Sequence, residues 1–345
     1  MPKNIVILAD GTGQEGGVGN NTNVYKIFNI IEDRTDDQIV YYDPGLGTRE
    51  AGLAGLISGY GISKNIKDCY RFLFENFESG DRIYLIGFSR GAATVRSLSS
   101  FIHYFGILPR SRPELIARAY RIYRIENEKK REARASALIG RNHTMWARIK
   151  FLGCFDTVSA LGIPIKGVNA VLDRVPYFQH DFHNFKLSES VENAYHALAI
   201  DEKRKIFHPV LWHPGLKPYQ ALRQVWFPGM HSDVGGGYPE SGLSDIPLVW
   251  MIKKATEHGL RIYDKDRISI ERNPDGVMHD SRGTWWKRLY RKKRRNWPKG
   301  RPTEPVVHQC VLDRTVNIHN NGHTNYAPWI LDLNFEVEPW SKWLV

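Results

Sequence analysis

A buried strand, a tight turn and a helix follow one another between residues 82 and 105, and this arrangement constrains the fold more than any other feature. The apolar run at 82–86 predicts a strand, and the apolar pattern at 92–105 is typical of a helix. Gly87-Phe88-Ser89-Arg90-Gly91 lies between them and matches G-x-S-x-G. In this context a sharp turn projects the Ser89 hydroxyl, while the flanking glycines keep Cβ atoms out of the turn. The alternative is that Ser89 only caps the helix.

Strands and helices alternate along most of the chain. Apolar runs predict strands at 4–9, 38–42, 149–155 and 224–228, and apolar spacings of three to four predict helices at 22–32, 62–77 and near 190–202. Strands that alternate with helices pair in parallel through right-handed crossovers. We therefore expect an α/β fold with a mostly parallel central sheet flanked by helices, with helical and loop insertions.

One domain over 1–345 explains this pattern better than two domains. The stretch 111–148 is helical in propensity but heavily charged, so we expect a solvated helical insertion there. Hydrophobic residues make up 42% of the 345 residues and charged residues 25%, which is typical of a folded globular protein.

The compartment is predicted from absent signals and from cysteine usage. No apolar run approaches the roughly 18 residues of a membrane-spanning helix, and no cleavable signal peptide is visible. Cys69, Cys154 and Cys310 form no C-x-x-C pair, which argues against a disulfide framework or a zinc site. We expect a cytoplasmic protein, with peripheral membrane binding or export by a signal-peptide-independent route as alternatives.

A serine hydroxyl needs a histidine to take its proton and an acid to orient that histidine, and later strand ends supply both. Asp156 follows the strand at 149–155, and His231 follows the strand at 224–228. The chain order Ser, acid, His is that of α/β-hydrolases, so the expected fold is α/β-hydrolase-like. Asp156 could instead form an Asx turn. Asp233 and His308 are the alternative acid and base.

The tetrahedral oxyanion of such a reaction needs backbone N–H donors. The Arg90 N–H lies at the start of a helix, and Gly11 or Thr12 follows the first strand, so these three are the candidate donors. We predict no cofactor and no metal, because the histidines between 180 and 213 match no zinc spacing.

Most of the net charge of +11 lies in one basic aromatic segment, residues 282–301, which contains ten Lys or Arg and no acid. Cations interleaved with tryptophans suit an anionic membrane surface, and nucleic acid is a less favoured partner. The alternative is a solvated surface loop. The candidate membrane or anionic-substrate contacts are Trp285, Trp286, Lys287, Arg288, Arg291, Lys292 and Trp297.

Several motifs together resemble the α/β-hydrolase family that includes type VI secretion phospholipase effectors. The resemblance extends from residue 4 to about 260, and its motifs are Asp10-Gly11-Thr12, Tyr42-Asp43-Pro44-Gly45-Leu46-Gly47-Thr48, Gly87-Phe88-Ser89-Arg90-Gly91-Ala92, Phe155-Asp156-Thr157-Val158, Ile200-Asp201-Glu202-Lys203-Arg204 and His231-Ser232-Asp233-Val234-Gly235-Gly236-Gly237-Tyr238. It implies a serine hydrolase with Ser89 as nucleophile and Asp156 and His231 as its partners.

The sequence therefore predicts a serine esterase or lipase that cleaves carboxylic esters through a Ser-His-Asp triad and an acyl-enzyme. Lipids or phospholipids are the expected substrates, ahead of polar esters. The alternative is a catalytically silent hydrolase fold that binds nucleic acid or anionic surfaces.

Overall fold

A computed structural model of the protein describes residues 2–11, 17, 19–45, 60–158, 186–283, 291–298, 300–314, 316–319 and 322–343. Within these ranges the strands are β1 (Asn4–Ala9), β2 (Gln38–Asp43), β3 (Arg82–Phe88), β4 (Ile149–Phe155), β5 (Asn193–Ala199), β6 (Ala221–Phe227), β7 (Val306–His308), β8 (Val316–His319), β9 (Gly322–Asn325) and β10 (Glu336–Glu338). The helices are α1 (Asn23–Ile30), α2 (Tyr60–Asn76), α3 (Arg90–Phe105), α4 (Glu114–Tyr123), α5 (Glu128–Ile139), α6 (His231–Gly235), α7 (Asp245–Glu257) and α8 (Cys310–Asp313).

The sheet has eight strands in the order β10-β7-β6-β5-β4-β3-β1-β2, and its neighbouring strands pair in parallel. β8 and β9 form a separate antiparallel pair. Because β1 lies between β2 and β3, the strand order reverses at the gap between β1 and β3. In open α/β sheets, ligands bind outside the carboxyl ends of the strands at such a reversal. Ser89 follows β3 and Asp10 follows β1, so both lie at this position.

The core lies on both faces of the sheet because alternate residues of a strand point to opposite sides. Ile7 and Leu85 belong to a buried cluster with residues of α2, α3, α4 and α5. Leu8 and Ile86 belong to a second cluster with residues of α1, α7 and α8. A sheet covered on both faces requires continuous apolar strands, which is the pattern that identified β1 and β3 in the sequence. The predicted α/β-hydrolase-like fold is confirmed.

One local prediction is wrong, and another needs a correction. The segment near 190–202 is not a helix but β5, a central strand between β4 and β6. Its alanines favour a helix, but burial between two strands overrides intrinsic propensity. The segment 111–148 contains two helices, as expected, but it is not solvated on all sides, because α4 and α5 pack on α3. Tyr123 donates a hydrogen bond to the Ser97 carbonyl oxygen at 3.2 Å, and its ring lies 5.6 Å from that of Phe101.

Other boundaries differ from the predictions by a few residues, as at α2 and β6. No helix in the described ranges is both long enough and apolar enough to cross a bilayer. A single domain over the whole chain remains a prediction.

Candidate active site

Ser89 occupies the turn between β3 and α3 in a backbone conformation that L-residues rarely adopt, with a φ of 58°. The turn is possible because Gly87 and Gly91 let backbone segments touch. A Cβ on Gly87 would lie 2.5 Å from the Gly91 carbonyl oxygen, and a Cβ on Gly91 would lie 2.0 Å from the Ala9 carbonyl oxygen. The Ser89 side chain makes no capping hydrogen bond, so the structure does not favour the capping alternative.

The Ser89 hydroxyl points at a histidine. Its Oγ lies 2.8 Å from Nε2 of His231, the first residue of α6. The imidazole is held between two aromatic rings, with centroid distances of 4.7 Å to Phe88 and 4.8 Å to Phe207. Ser89 is 9% exposed and His231 is 4% exposed, so both side chains are largely shielded from water.

Asp156 completes a chain of three side chains. Its Oδ2 lies 2.6 Å from Nδ1 of His231, and its Oδ1 accepts a 3.0 Å hydrogen bond from the Ala199 N–H. The carboxylate assigns the proton of the neutral imidazole to Nδ1, which leaves Nε2 to accept the hydrogen bond from the serine hydroxyl. Asp156 has a φ of 40° at the carboxyl end of β4, so it also occupies a strained turn. This arrangement can deprotonate a serine hydroxyl as it attacks an electrophile.

Arg295, which the sequence analysis did not identify, binds the same carboxylate. Its Nη1 lies 2.6 Å from Asp156 Oδ1, and its Nη2 lies 2.8 Å from Oδ2. Each nitrogen also donates a 2.6 Å hydrogen bond to a carbonyl oxygen, Nη1 to Ala199 and Nη2 to Phe207. Burial would raise the pKa of Asp156, but the charge and hydrogen bonds of Arg295, with the contact to His231, hold the pKa well below its usual range.

Backbone pairing brings Arg295 into the site. The Lys205 N–H donates to the Arg291 carbonyl oxygen at 2.8 Å, and the Lys293 N–H donates to the Lys203 carbonyl oxygen at 2.8 Å. Residues 291–294 are exposed, whereas the Arg295 side chain is 1% exposed. The basic aromatic segment is therefore not only a surface segment. No sequence signal separates Arg295 from the four cations before it.

A second ion pair contacts the backbone of the histidine. Glu202 accepts hydrogen bonds from Arg204 at 2.8 Å and 2.7 Å, and the Arg204 guanidinium lies 3.7 Å from the centroid of the Phe207 ring. The His231 N–H donates to Glu202 Oε2 at 3.4 Å. Burial would raise the pKa of Glu202, but Arg204 lowers it below its ordinary value. Glu202 and Arg204 belong to the motif at 200–204, so the resemblance signalled this pair without revealing its role.

The three predicted oxyanion donors have different outcomes. Arg90 is the first residue of α3, directly after Ser89. Gly11 lies close to Ser89, but its N–H donates to Asp10 Oδ1 at 2.7 Å, so the structure does not support Gly11 as a donor. Thr12 lies outside the described residues.

Asp10 follows β1 and links two side chains of the neighbouring elements. It accepts hydrogen bonds from the hydroxyls of Thr22 at 2.5 Å and Tyr42 at 2.8 Å. Burial raises the pKa of Asp10 to about 6, although these hydrogen bonds oppose the rise.

The alternative acid and base do not take part in the chain of three side chains. Asp233 accepts hydrogen bonds from the Met230 N–H at 2.9 Å and from His279 Nδ1 at 2.7 Å. His308 is buried and stacks on Phe227 at 4.8 Å, and burial lowers its pKa to about 4. Asp156 and His231 occupy the positions for which these two residues were the substitutes.

The predicted membrane contacts are described only in part. Arg291 and Lys292 are exposed. Trp297 packs against the core, and its indole N–H donates to the Thr303 carbonyl oxygen at 3.0 Å, which does not favour a membrane contact for this side chain. Four of the predicted contacts lie outside the described residues: Trp285, Trp286, Lys287 and Arg288.

Some of the histidines considered for metal binding lie within the described ranges. There, His196 Nε2 accepts a 3.0 Å hydrogen bond from the Thr157 N–H. Among the described residues, no group of three or more His, Cys, Asp or Glu side chains is arranged to hold a metal ion.

A family model covers the three side chains of this site. The family model described as "T6SS, Phospholipase effector Tle1-like, catalytic domain" matches residues 3–254, a range that includes Ser89, Asp156 and His231. The chain belongs to this family. Arg295 lies beyond the matched residues.

A curated relative, the uncharacterized protein YEL023C of Saccharomyces cerevisiae, is 30% identical over 237 residues, which are 61% of this chain and 33% of that protein. The chain therefore spans about a third of the length of this relative.

Solved structures are similar at lower identity. An uncharacterized protein from Pseudomonas aeruginosa aligns with a TM-score of 0.47 and 19% identity, over 78% of this chain and 48% of that chain. The Tle1 effector bound to the VgrG spike of the type 6 secretion system aligns with a TM-score of 0.40 and 20% identity, over 70% and 52% of the two chains. The metagenomic carboxyl esterase MGS0156 aligns with a TM-score of 0.34 and 11% identity, over 75% and 76%.

Proposed function

We propose that this protein is a serine hydrolase that cleaves carboxylic esters of lipids or phospholipids through an acyl-enzyme. The observation that carries the proposal is the hydrogen-bonded chain from Ser89 Oγ through His231 to Asp156, with distances of 2.8 Å and 2.6 Å. Membership of the Tle1-like phospholipase effector family supports a lipid ester as the substrate.

In the first half of the reaction, Ser89 Oγ attacks the ester carbonyl carbon while its proton passes to His231 Nε2. Asp156 holds the imidazole by its Nδ1–H and stabilises the imidazolium that forms. The tetrahedral intermediate then collapses, the C–O bond to the alcohol breaks, and His231 gives its proton to the leaving alkoxide. The acyl group remains on Ser89.

The second half regenerates the serine. A water molecule loses a proton to His231 as it attacks the acyl carbonyl, and collapse of this intermediate returns that proton to Ser89 and releases the carboxylic acid. In both halves the oxyanion needs N–H donors, and we assign one of them to the Arg90 backbone at the start of α3. Loss of one such donor typically costs about 2.7 to 4 kcal/mol of transition-state stabilisation.

The exposed cations of the basic segment support an anionic lipid surface as the place of action. Arg291 and Lys292 lie on the same stretch as Arg295, which reaches the carboxylate of Asp156. A cation near an anionic bilayer contributes roughly 1 kcal/mol to binding. This proposal includes residence in the cytoplasm, with peripheral membrane association or signal-peptide-independent export.

The test is a hydrolysis screen of the purified protein against phospholipid vesicles, short-chain esters and acyl thioesters, with the Ser89→Ala variant as control. We expect Ser89-dependent release of fatty acid from phospholipid. Hydrolysis of short esters alone would keep the serine hydrolase and reject the lipid. Absence of all turnover, together with salt-sensitive binding of RNA or DNA, would instead favour a silent hydrolase fold.

A further inference from the structure

The Arg295 guanidinium makes several hydrogen bonds within the site. Its two terminal nitrogens make four hydrogen bonds of 2.6 to 2.8 Å, two to the Asp156 carboxylate and two to backbone carbonyl oxygens. The carbonyl groups belong to Ala199, which ends β5, and Phe207, whose ring packs on His231. The guanidinium therefore ties the carboxylate and a wall of the imidazole pocket into one rigid unit.

We propose that Arg295 is a positioning residue of the triad, which fixes the Asp156 carboxylate toward His231 and offsets the negative charge that this carboxylate places beside the imidazole. This inference rests on the proposed function. A bidentate guanidinium leaves a carboxylate little rotational freedom. The Asp156 oxygen that faces His231 Nδ1 is thus held in place before substrate binds.

The electrostatic part follows from the sign of the charges. A buried, unpaired carboxylate stabilises an adjacent imidazolium strongly, because attraction between charges is large in a low-dielectric interior. A histidine that is already protonated cannot act as a base. Arg295 offsets the charge of the carboxylate, so removal of Arg295 would leave an uncompensated negative charge beside the His231 imidazole.

Other charged and titratable groups surround Arg295 and Asp156, and they also influence the pH dependence of ester hydrolysis. Burial lowers the pKa of His196 to about 3, and burial also lowers the pKa of His208. The groups with fixed charge that face the unit are Glu202 beyond β5, Arg204, Arg96 on α3 and Lys293 on the segment of Arg295 itself.

Stability alone is a weak reason for a buried ion pair between Arg295 and Asp156. A buried ion pair is often no more stabilising than apolar residues of the same volume. Arg295 also lies outside the residues that match the family, at the buried end of a strand-like stretch whose preceding four residues are exposed cations. The basic aromatic segment therefore contacts the proposed triad directly, because its Arg295 binds the Asp156 carboxylate.

The test compares Arg295→Gln, Arg295→Lys and Arg295→Ala with the wild type on a soluble short-chain ester, using kcat values normalised to active sites titrated with a fluorophosphonate. Arg34→Gln removes a charge from an exposed arginine and is the matched control. Because misfolded molecules are not titrated, a loss of folded protein alone does not change the normalised kcat.

We expect Arg295→Gln to lower kcat roughly 10- to 100-fold, by analogy with the range found for residues that orient the ligands of metal sites. The acid limb of its kcat/KM profile should move up by about one pH unit. Arg295→Lys should keep the acid limb near that of the wild type but lose kcat, because an ammonium cannot bind both oxygens and both carbonyl groups. Guanidinium at non-denaturing concentrations should restore part of the activity of Arg295→Ala, and ethylammonium should restore less.

An unchanged acid limb in Arg295→Gln, with no guanidinium rescue of Arg295→Ala, would overturn this role while Ser89-dependent hydrolysis by the wild type still supported the proposed function. If the wild type itself shows no Ser89-dependent hydrolysis, the proposed function fails first and the role of Arg295 fails with it.

Discussion

The Ser89 hydroxyl lies 2.8 Å from Nε2 of His231, although 142 residues separate the two in the chain. Both residues follow the carboxyl ends of parallel strands, so the sheet delivers them to the same edge. Asp156 arrives there from β4 by the same rule. The chemistry is thus a consequence of topology, and the local turns decide which atoms point at one another.

Loss of the nucleophile or the base should stop the reaction without harming the fold. We expect Ser89→Ala and His231→Gln each to lower kcat for ester hydrolysis by at least about 10⁴-fold, because the triad acts as a unit. Steady-state kinetics with circular dichroism measure both quantities. A double variant no worse than either single variant would agree with a shared role, whereas multiplying losses would contradict it.

Asp156→Asn should be inactive and also unstable. An Asn amide cannot accept a hydrogen bond from both guanidinium nitrogens, so Arg295 is left buried and poorly paired, and removing one partner of a buried ion pair costs about 3 to 5 kcal/mol. Urea unfolding near neutral pH measures this cost. His231→Gln keeps the ion pair and serves as the comparison; equal stability of the two variants would show that the pair is not important for the fold.

Gly91→Ala tests the turn. Alanine is favoured over glycine inside a helix by roughly 1 kcal/mol, and Gly91 is the second residue of α3, so propensity alone predicts a small gain in stability. The new Cβ would lie 2.0 Å from the Ala9 carbonyl oxygen, so we expect a loss of several kcal/mol or failure to fold. Gly215→Ala is the control, because its Cβ would meet no atom within 4 Å. Urea midpoints of the two variants decide the matter, and a stabilised Gly91→Ala would refute the close approach.

His279 should give the fold a pH-dependent contribution. The hydrogen bond from His279 to Asp233, at 2.7 Å, and the nearby charge of Glu240 raise the pKa of His279 above its ordinary value, although partial burial opposes the rise. The stabilisation is therefore fully present below the unfolded pKa of about 6.5 and is lost as pH rises through the folded pKa.

The His279→Gln variant should consequently lose more unfolding free energy at about pH 5.5 than at about pH 8.5. Urea unfolding at the two pH values measures this difference, with His143→Gln, at an exposed histidine, as the control. Equal losses at both pH values would argue against the pair.

The elements that sequence reasoning finds are those with a local cause. An apolar run predicts β3, two glycines predict the turn at Ser89, and a helical spacing of apolar residues predicts α3. The positions of Asp156 and His231 follow from strand ends and chain order. β5 was not predicted as a strand because its alanines favour a helix, and its pairing with β4 and β6 makes it a strand.

Two features of the site depend on contacts that no local pattern encodes. In the sequence, Arg295 cannot be distinguished from the cations beside it. Its side chain is buried because the backbone of 291–293 pairs with that of 203–205. The Gly11 N–H is a reasonable oxyanion donor by position, but the preceding carboxylate of Asp10 accepts its hydrogen bond. Side-chain direction over such short distances is decided by tertiary packing.

The most direct test of the central claim is mass-spectrometric mapping of a fluorophosphonate adduct on the folded wild-type protein. We predict one adduct per chain, on the peptide that contains Ser89, with labelling abolished in Ser89→Ala and slowed strongly in His231→Gln. A folded wild type that stays unlabelled, or that carries the adduct on another residue, would contradict the assignment of Ser89 as the nucleophile.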